Sequence, residues 1–245
     1  FLFFIILSKK LITFYIQINK KNQLIFNMLF HSNQYLLIFL PAVFFFYFFR
    51  YKNFYFPKIL TLSFVSIIFY SAWNIYFLPL IIFIIFCNYS FHKLLLKSKK
   101  YLFLLISMNL LILIIFKYTD FIILNINLIF ESNIEFIDLP FPLALSFVTF
   151  QVIAFLVDYY DRSIKKIEFN YFFLFIIFFP QLIAGPIVKY NDIVSQYKNK
   201  KNKKINITNI FVGLSLILIG FLKKILLADN LGTFADIGFY NVNEI

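Results

Sequence analysis

Long apolar stretches separated by short basic segments dominate the chain. Stretches without Asp, Glu, Lys or Arg cover residues 22–49, 59–92, 101–116, 139–157, 169–188 and 205–222. They are apolar on every side rather than on one helical face, which is typical of helices surrounded by lipid. A helix rising about 1.5 Å per residue needs roughly 20 residues to cross about 30 Å of hydrocarbon. Most of the stretches are therefore predicted to span a membrane.

The stretch 59–92 does not fit a single straight span, and it sets the predicted topology of the chain. Residues 59–92 are too long for one crossing and have basic segments on both sides, so a hairpin that turns near Trp73 and Asn74 is predicted. Residues 101–116 then cross the membrane, and the acidic segment that follows as far as Asp138 is expected to be an outside loop. By the positive-inside rule, the basic segments 50–58, 93–100 and 189–204 are predicted to be cytoplasmic.

Residues 169–188 follow a basic loop that contains Arg162, Lys165 and Lys166, and they precede the basic segment 189–204. The positive-inside rule predicts that both are cytoplasmic. This stretch contains Pro180, Gly185 and Pro186, and proline and glycine interrupt helices. We therefore predict an all-α, polytopic transmembrane protein with a re-entrant or broken helix around residues 178–188. Broken backbone at membrane depth requires burial in protein or a watery cavity, which makes this segment a functional-site hypothesis. The alternative is an ordinary proline-kinked span.

Composition supports the membrane interpretation and limits the chemistry. Of the 245 residues, 62% are hydrophobic and 14% are charged, whereas soluble domains are about half apolar. The net charge of +12 comes from lysines and arginines in short loops, so it indicates topology rather than nucleic-acid binding. The single Cys87 rules out an internal disulfide. The two histidines, His31 and His92, have the positions of interfacial residues, and neither is predicted to be a catalytic base.

The chain is predicted to be part of a longer protein and to carry extra residues before its natural start. Residues 1–27 lack the small-residue cleavage site of a signal peptide, and Met28 opens a polar start followed by a first span. Residues 1–27 are therefore expected to be a non-native upstream extension. The segment that ends at Ile245 has no terminating feature, so a continuation is expected.

Polar residues inside or beside the apolar stretches are the remaining chemical signals, because charges in a bilayer are costly and normally face a cavity or a partner. For the two lysines after the last stretch, snorkelling to the headgroups is the alternative. An aspartate further on is placed to pair with a lysine at helical spacing. These residues are Gln151, Asp158, Lys223, Lys224, Asp229 and Asn230.

Three segments resemble, in order and spacing, the membrane-bound O-acyltransferase family. They are LALSFVTFQVIAFLVD (143–158), FFPQLIAGPIVKY (178–190) and GFLKKILLADNL (220–231). The likeness is to the alginate O-acetyltransferase branch, which is close to the peptidoglycan O-acetylating and teichoic-acid D-alanylating proteins. The start MLFHSNQYLLIFLP is similar as well. The resemblance implies that residues 28–245 are the N-terminal part of the family's transmembrane domain.

The resemblance also implies a tunnel through which an acyl group passes from a cytoplasmic donor to an acceptor outside. The family's catalytic histidine is expected beyond Ile245, so no catalytic residue is assigned and this chain alone is expected to be inactive. The candidate tunnel or motif residues are Gln151, Asp158, Pro180, Gln181, Gly185, Pro186, Lys189, Tyr190, Lys223, Lys224, Asp229 and Asn230. No metal site and no bound cofactor are predicted.

The function expected from the resemblance is transfer of an acyl group, in particular acetyl, onto hydroxyls of a cell-surface polysaccharide such as alginate or peptidoglycan. The expected donor is acetyl-CoA or an acyl carrier, and the expected location is the bacterial inner membrane. A periplasmic or secreted acetyltransferase is an expected partner, besides the lipid bilayer, and no nucleic acid is expected. The alternatives are a transporter or flippase and an inactive gene fragment.

Overall fold

The computed structural model describes residues 30, 32–48, 57–164, 166–183, 185–199, 202 and 204–240. Within these residues every regular element is helical, which confirms the predicted all-α class. The chain divides into two compact units, Phe1–Asn199 and Lys200–Ile245, and each is described by itself. The predicted extension 1–27 and the residues Met28 and His31 lie outside the described residues.

The helices of the two units are as follows. The first unit contains α1 (Leu40–Phe48), which continues from a π-helical turn (Tyr35–Phe39), and then α2 (Lys58–Asn74), α3 (Leu78–Phe91), α4 (Lys99–Phe130), α5 (Leu145–Tyr160), α6 (Phe169–Ile177), α7 (Phe179–Leu182) and α8 (Tyr190–Lys198). The second unit contains α9 (Ile207–Lys223), a π-helical turn (Lys224–Ala228) and α10 (Asp229–Tyr240). Among the residues that the structure describes, three helical segments are long and apolar enough to cross a membrane: Ile75–Leu96, Lys99–Phe130 and Ile207–Asp236. These helices define a multi-pass membrane protein.

A 3₁₀ turn, Ile75–Phe77, separates helix α2 from helix α3. The Phe69 ring lies 5.5 Å from that of Phe179, and the Tyr89 ring lies 5.0 Å from that of Phe169. The backbone of Ile75 and Phe77 stays in the right-handed helical region. The predicted turn near Trp73 and Asn74 thus coincides with a change from α-helix to 3₁₀ helix, and the hairpin stays a prediction.

Helix α4 is longer than the sequence suggested. The prediction of a span over 101–116 followed by a loop was wrong, because the helix continues to Phe130 and ends at Glu131 in the left-handed conformation (φ 48°). No glycine or proline interrupts it. Asp120 does not break the helix either, because its carboxylate accepts the backbone N–H of Ile137 at 2.9 Å and so holds the returning segment against it.

Helix α5 is the centre of the first unit and packs against α4 and α6. It begins later than the predicted stretch 139–157 because Pro140 and Pro142 disfavour helix in the residues before them, and Ala144 has a left-handed φ of 61°. The side chains of α5 that are buried are Leu145, Val148, Thr149, Gln151, Val152, Phe155, Leu156 and Tyr159. This helix therefore carries a polar amide, that of Gln151, into the core.

The second unit corrects another boundary. The apolar stretch 205–222 was expected to end a span at its basic residues, but the helix continues through Lys223 and Lys224 to Tyr240. Its apolar segment extends over Ile207–Asp236. The two lysines therefore lie within a long apolar helix rather than at its end.

Candidate functional site: a broken helix and its polar supports

The helix formed by residues 169–177 breaks at Phe178, whose backbone is not helical (φ −56°, ψ 109°). A short helix, α7, follows, and residues 185–189 are again non-helical. Pro180 lacks a backbone N–H and cannot donate to the carbonyl of Ile176 as an uninterrupted helix requires. The break that the sequence predicted over residues 178–188 is confirmed.

The carbonyl of Phe175 accepts two side-chain amides at this break. Gln151 on α5 donates from Nε2 at 2.8 Å, and Gln181 on α7 donates from Nε2 at 2.7 Å. We call this arrangement of Gln151, Gln181 and the Phe175 carbonyl the glutamine clamp. It joins three helices at one backbone oxygen that the break would otherwise leave unsatisfied in an apolar region.

The complementary donor of the break is satisfied as well. In an uninterrupted helix the N–H of Phe179 would donate to the Phe175 carbonyl, but it donates instead to Oγ of Ser66 on α2, at 3.2 Å. The break thus has polar side chains from α2, α5 and α7 in place of its lost helical hydrogen bond. Both groups of this lost hydrogen bond, the Phe175 carbonyl and the Phe179 N–H, are therefore paired by side chains, which marks the interruption as a built feature of the fold.

Gly185 closes the turn after α7. Its N–H donates to the carbonyl of Gln181 at 3.0 Å. A Cβ added at Gly185 would lie 2.6 Å from the Cα, Cβ and carbonyl oxygen of Gln181. Any other residue would therefore collide with the backbone that carries one half of the glutamine clamp.

Tyr190, the first residue of α8, packs beside the clamp. Its ring lies 5.3 Å from that of Phe155 and 5.4 Å from that of Phe175, and the residue is 2% exposed. This burial raises the pKa of the Tyr190 hydroxyl to about 12. The tyrosine therefore stays neutral and connects α8 to the core beneath the break.

Two polar contacts hold α8 against the segment that precedes α6. Asn191 donates from Nδ2 to the carbonyl of Ser163 at 2.8 Å. The Lys198 ammonium lies 2.9 Å from the Glu168 carboxylate, and this hydrogen bond lowers the pKa of Glu168. The apolar side of α8, which includes Tyr190 and Val194, faces the core, as in a helix that lies at a membrane interface.

The other predicted residues of the first unit do not contribute a group to the clamp. Asp158 is half-buried near the end of α5, about 10 Å along the helix from Gln151. Pro180, Pro186 and Lys189 are exposed. The structure thus brings together Gln151, Gln181, Gly185 and Tyr190, and leaves these four at its margins.

In the second unit, Lys224 and Asp229 form an ion pair with Nζ and Oδ2 2.8 Å apart. The π-helical turn between them explains a spacing of five residues, since it advances more residues per turn than an α-helix does. Asn230 donates from Nδ2 to the Leu226 carbonyl at 2.9 Å, and Lys223 is exposed.

Sequence reasoning missed the polar groups that lie wholly inside apolar stretches. Ser66 was one. Asn88 on α3 and Asn109 on α4 were two more: they exchange side-chain amide hydrogen bonds of 3.0 and 2.9 Å and are buried. The signal was present, because an amide in an apolar stretch needs a partner.

His92 has the surroundings of a structural residue. It is 4% exposed, its Nδ1 contacts the Tyr89 carbonyl, and its ring lies 5.2 Å from Tyr89 and 5.1 Å from Tyr159. The residues that the structure describes contain no group of three His, Cys, Asp or Glu side chains suited to a metal ion.

The fold defines a class: a helical, multi-pass membrane protein with a polar-supported break in one of its helices. Residues 160–243 match the sequence model of MBOAT, the membrane-bound O-acyltransferase family. The match includes the break, the turn at Gly185, α8 and the Lys224–Asp229 pair.

Similar proteins cover more of the chain. A peptidoglycan O-acetyltransferase of Helicobacter pylori is 37% identical in an alignment of 249 positions, gaps included, that covers 88% of this chain and 47% of the relative. A probable alginate O-acetylase AlgI of Pseudomonas aeruginosa is 30% identical in an alignment of 225 positions, gaps included, that covers 85% of this chain and 41% of the relative. A teichoic acid D-alanyltransferase of Lacticaseibacillus rhamnosus is 30% identical over 91 residues, 37% of this chain and 22% of the relative.

The chain belongs to the membrane-bound O-acyltransferase family. It spans less than half the length of these relatives. No solved structure shows a significant match to it.

Proposed function

We propose that this chain forms part of a membrane O-acyltransferase that moves an acyl group, in particular acetyl, across the bacterial inner membrane. The acceptor is a hydroxyl of a cell-surface polysaccharide such as peptidoglycan or alginate. The donor is acetyl-CoA or an acyl carrier on the cytoplasmic side, and a periplasmic or secreted acetyltransferase assists at the outer side. The relatives' names supply the reaction class, and peptidoglycan is the first acceptor to test.

The observation that carries the proposal is the glutamine clamp, of which Phe175 and Gln181 lie within the family-matched residues 160–243. The helix is interrupted in an apolar protein, and side chains pair its Phe175 carbonyl and its Phe179 N–H. Such an interrupted helix is suited to lining a polar path. Acyl transfer across a membrane needs such a path, because donor and acceptor are on opposite sides and their reacting groups must meet.

A transporter or flippase uses broken helices for the same physical reason. The two functions differ in covalent chemistry, because only the acyltransferase leaves an ester on the acceptor. The measurement is therefore the O-acetyl content of the cell wall, released by mild base, in a strain that lacks its own wall O-acetyltransferase and expresses the full-length protein.

The test uses Gly185→Ala against Gly220→Ala. An added Cβ collides with Gln181 at the first position and meets nothing within 4 Å at the second. Ester content is expected to rise with the wild type and with G220A, and to fall at least about tenfold with G185A at equal protein level, since small misplacements in a reaction path are costly. Polysaccharide export without any ester would instead favour the transporter.

We propose further that His92 is not the catalytic base. Its Nδ1 is occupied by the Tyr89 carbonyl, and two tyrosine rings cover it. His92→Gln is expected to retain the transferase activity per folded molecule. Complete loss of activity in a variant that folds and inserts normally would contradict this assignment.

A further inference from the structure

An open cleft lies between the end of α3, the 3₁₀ turn that follows it and the start of α6. Its volume is about 370 Å³, and the residues that line it are Phe86, Tyr89, Ser90, His92, Lys93 and Phe169. The rings of Tyr89 and Phe169 meet edge to face, 5.0 Å apart, and so connect the two helices at the cleft. The cleft shares no residue with the glutamine clamp.

The lining of the cleft changes from apolar to polar along α3. Phe86, Ser90 and Lys93 are four and three residues apart, so they follow one face of the helix, and all three are exposed. Phe86 lies about 10 Å along the axis from Lys93, deeper in the apolar segment Ile75–Leu96. The cleft is therefore apolar toward the middle of the membrane and polar at its surface.

The polar end of the cleft offers unused hydrogen-bond donors. Within the part of the chain that the structure describes, the Lys93 ammonium and the Ser90 hydroxyl have no hydrogen-bond or ion-pair partner. His92 adds no donor when its ring is neutral, because its Nδ1 contacts the Tyr89 carbonyl and a neutral imidazole has one N–H. An ammonium with three N–H groups and a hydroxyl suit a phosphate, since hydrogen bonds to charged acceptors are the stronger ones.

The charge around the polar end is positive. Residues 93–100 contain four lysines and no acidic residue, and they are predicted to be cytoplasmic. Basic segments beside a spanning helix attract anionic lipids. The carboxylate that precedes Phe169, that of Glu168, is paired with Lys198 at 2.9 Å, which reduces its repulsion of an anion in the cleft.

We propose that this cleft binds an anionic phospholipid. Its phosphate lies at Lys93 and Ser90, and an acyl chain lies along Phe86 and Phe169. The apolar end of the cleft favours a lipid over a soluble phosphate compound, which would leave those two rings without a partner. The proposal concerns binding alone, so it does not depend on the proposed acyl transfer.

The experiment measures the thermal unfolding of the full-length protein in a maltoside detergent, which contains no phosphate. Phosphatidylglycerol is titrated in one arm, phosphatidylcholine with the same acyl chains in a second, and glycerol 3-phosphate in a third, all at one ionic strength. The Tm is expected to rise with phosphatidylglycerol at a lower lipid fraction than with phosphatidylcholine. It should not change with glycerol 3-phosphate, which has no acyl chain.

Two variants remove single donors of the cleft, and a third is the matched control. Lys93→Gln and Ser90→Ala should each raise the phosphatidylglycerol fraction at half of the Tm rise by about tenfold, the effect of losing one hydrogen bond to a charged group. Lys97→Gln removes the same charge from the same basic segment, but Lys97 is exposed and does not line the cleft. It should leave the response to phosphatidylglycerol unchanged.

Four results would overturn the proposal. The first is a wild-type Tm that phosphatidylglycerol does not raise. The second is an equal response to phosphatidylcholine, which would mean that the headgroup charge is not recognised. The third is an equal response to glycerol 3-phosphate, which would indicate a soluble phosphate ligand. The fourth is an equal effect of K93Q and K97Q, which would mean diffuse attraction to the basic segment. If Lys93→Gln does not fold, S90A against K97Q makes the same comparison.

Discussion

Gln151 and Gln181 donate their side-chain amides to one acceptor, the carbonyl oxygen of Phe175, from 2.8 and 2.7 Å. The two glutamines come from different helices, and the acceptor belongs to a third. A single backbone oxygen therefore fixes the relative positions of α5, α6 and α7 where the last two meet.

This shared acceptor predicts that the two glutamines are not additive. Leucine at either position leaves the carbonyl with one donor, so each single variant should cost about 0.5–1.5 kcal/mol. The double variant leaves a buried carbonyl without any of these donors and should cost about 1–3 kcal/mol more than the sum of the two. A double-mutant cycle on the free energy of unfolding in mixed micelles measures this. Simple additivity would mean that a water replaces the amides.

Gly185 and Gly220 should respond oppositely to alanine. G185A places a Cβ within 2.6 Å of the Gln181 backbone, and overpacking of this kind costs about 1–3 kcal/mol. G220A meets no atom within 4 Å and lies inside α9, where alanine is favoured over glycine by about 0.5–1 kcal/mol. The thermal midpoints of the two variants should therefore lie on opposite sides of the wild-type value. A stable G185A would show that the turn after α7 can rearrange.

The Asn88–Asn109 pair should be sensitive to the loss of one member and tolerant of the loss of both. Asn88→Leu alone leaves the Asn109 amide without its partner across the helices, at a cost of about 1–3 kcal/mol. Leucine at both positions removes the polar groups together and should recover most of that loss. Unfolding free energies of the three variants provide the comparison. If the double variant is the least stable, the two amides stabilise the fold by more than their hydrogen bonds to each other.

Lys224 and Asp229 should depend on each other for membrane insertion. Lys224→Gln leaves the carboxylate alone in an apolar helix, and Asp229→Asn leaves the ammonium alone, so each should lower the inserted fraction. The exchange Lys224→Asp with Asp229→Lys restores a pair across the same π-helical turn. Glycosylation-site mapping of insertion should show recovery in the exchanged variant. An equal loss of the inserted fraction in all three variants would mean that each charge interacts with a neighbouring group at its own position.

The attachment of α8 should weaken in acid. The contact with Lys198 lowers the pKa of Glu168 in the folded protein, so its stabilisation is present above the carboxyl's unfolded pKa of about 4.3. It is lost as the pH falls through the lower folded value. The hydrogen-exchange protection factors of the α8 amides, which correct for the slower intrinsic exchange in acid, should fall over that acidic range in the wild type. Glu168→Gln should remove this pH dependence, and an identical acid response in E168Q would assign it to another group.

Much of the candidate site could be located from the sequence. Pro180, Gly185 and Pro186 stand within an apolar stretch, and their effects on the backbone are local. Each proline lacks a backbone N–H, and Gly185 lacks a Cβ. Both properties act on the residues next to them in the chain. The break around residues 178–188 was therefore predictable, as were the apolar helices, because lipid and core both demand continuous apolar helix.

What could not be predicted is how the break is satisfied. Ser66 is 113 residues from Phe179 in the chain, and Gln151 is 24 residues from Phe175. Hydrogen bonds across such separations depend on how the helices pack, and packing leaves no periodic mark in one sequence. The end of α4 was misjudged for the same reason, because the Asp120 carboxylate is satisfied by a segment that only the folded chain returns to it.

The sequence by itself thus determined the helices, their apolar surfaces and the place of the interruption, since these follow from local backbone chemistry and hydrophobicity. Only the tertiary structure decided which distant polar groups meet: Gln151 with Gln181 at one carbonyl, and Asn88 with Asn109. The pairing of Asp229 with a lysine was predicted, and the structure identifies that lysine as Lys224. The physical reason is that a polar group in an apolar surrounding must find a partner, while the partner's identity is fixed by three-dimensional proximity.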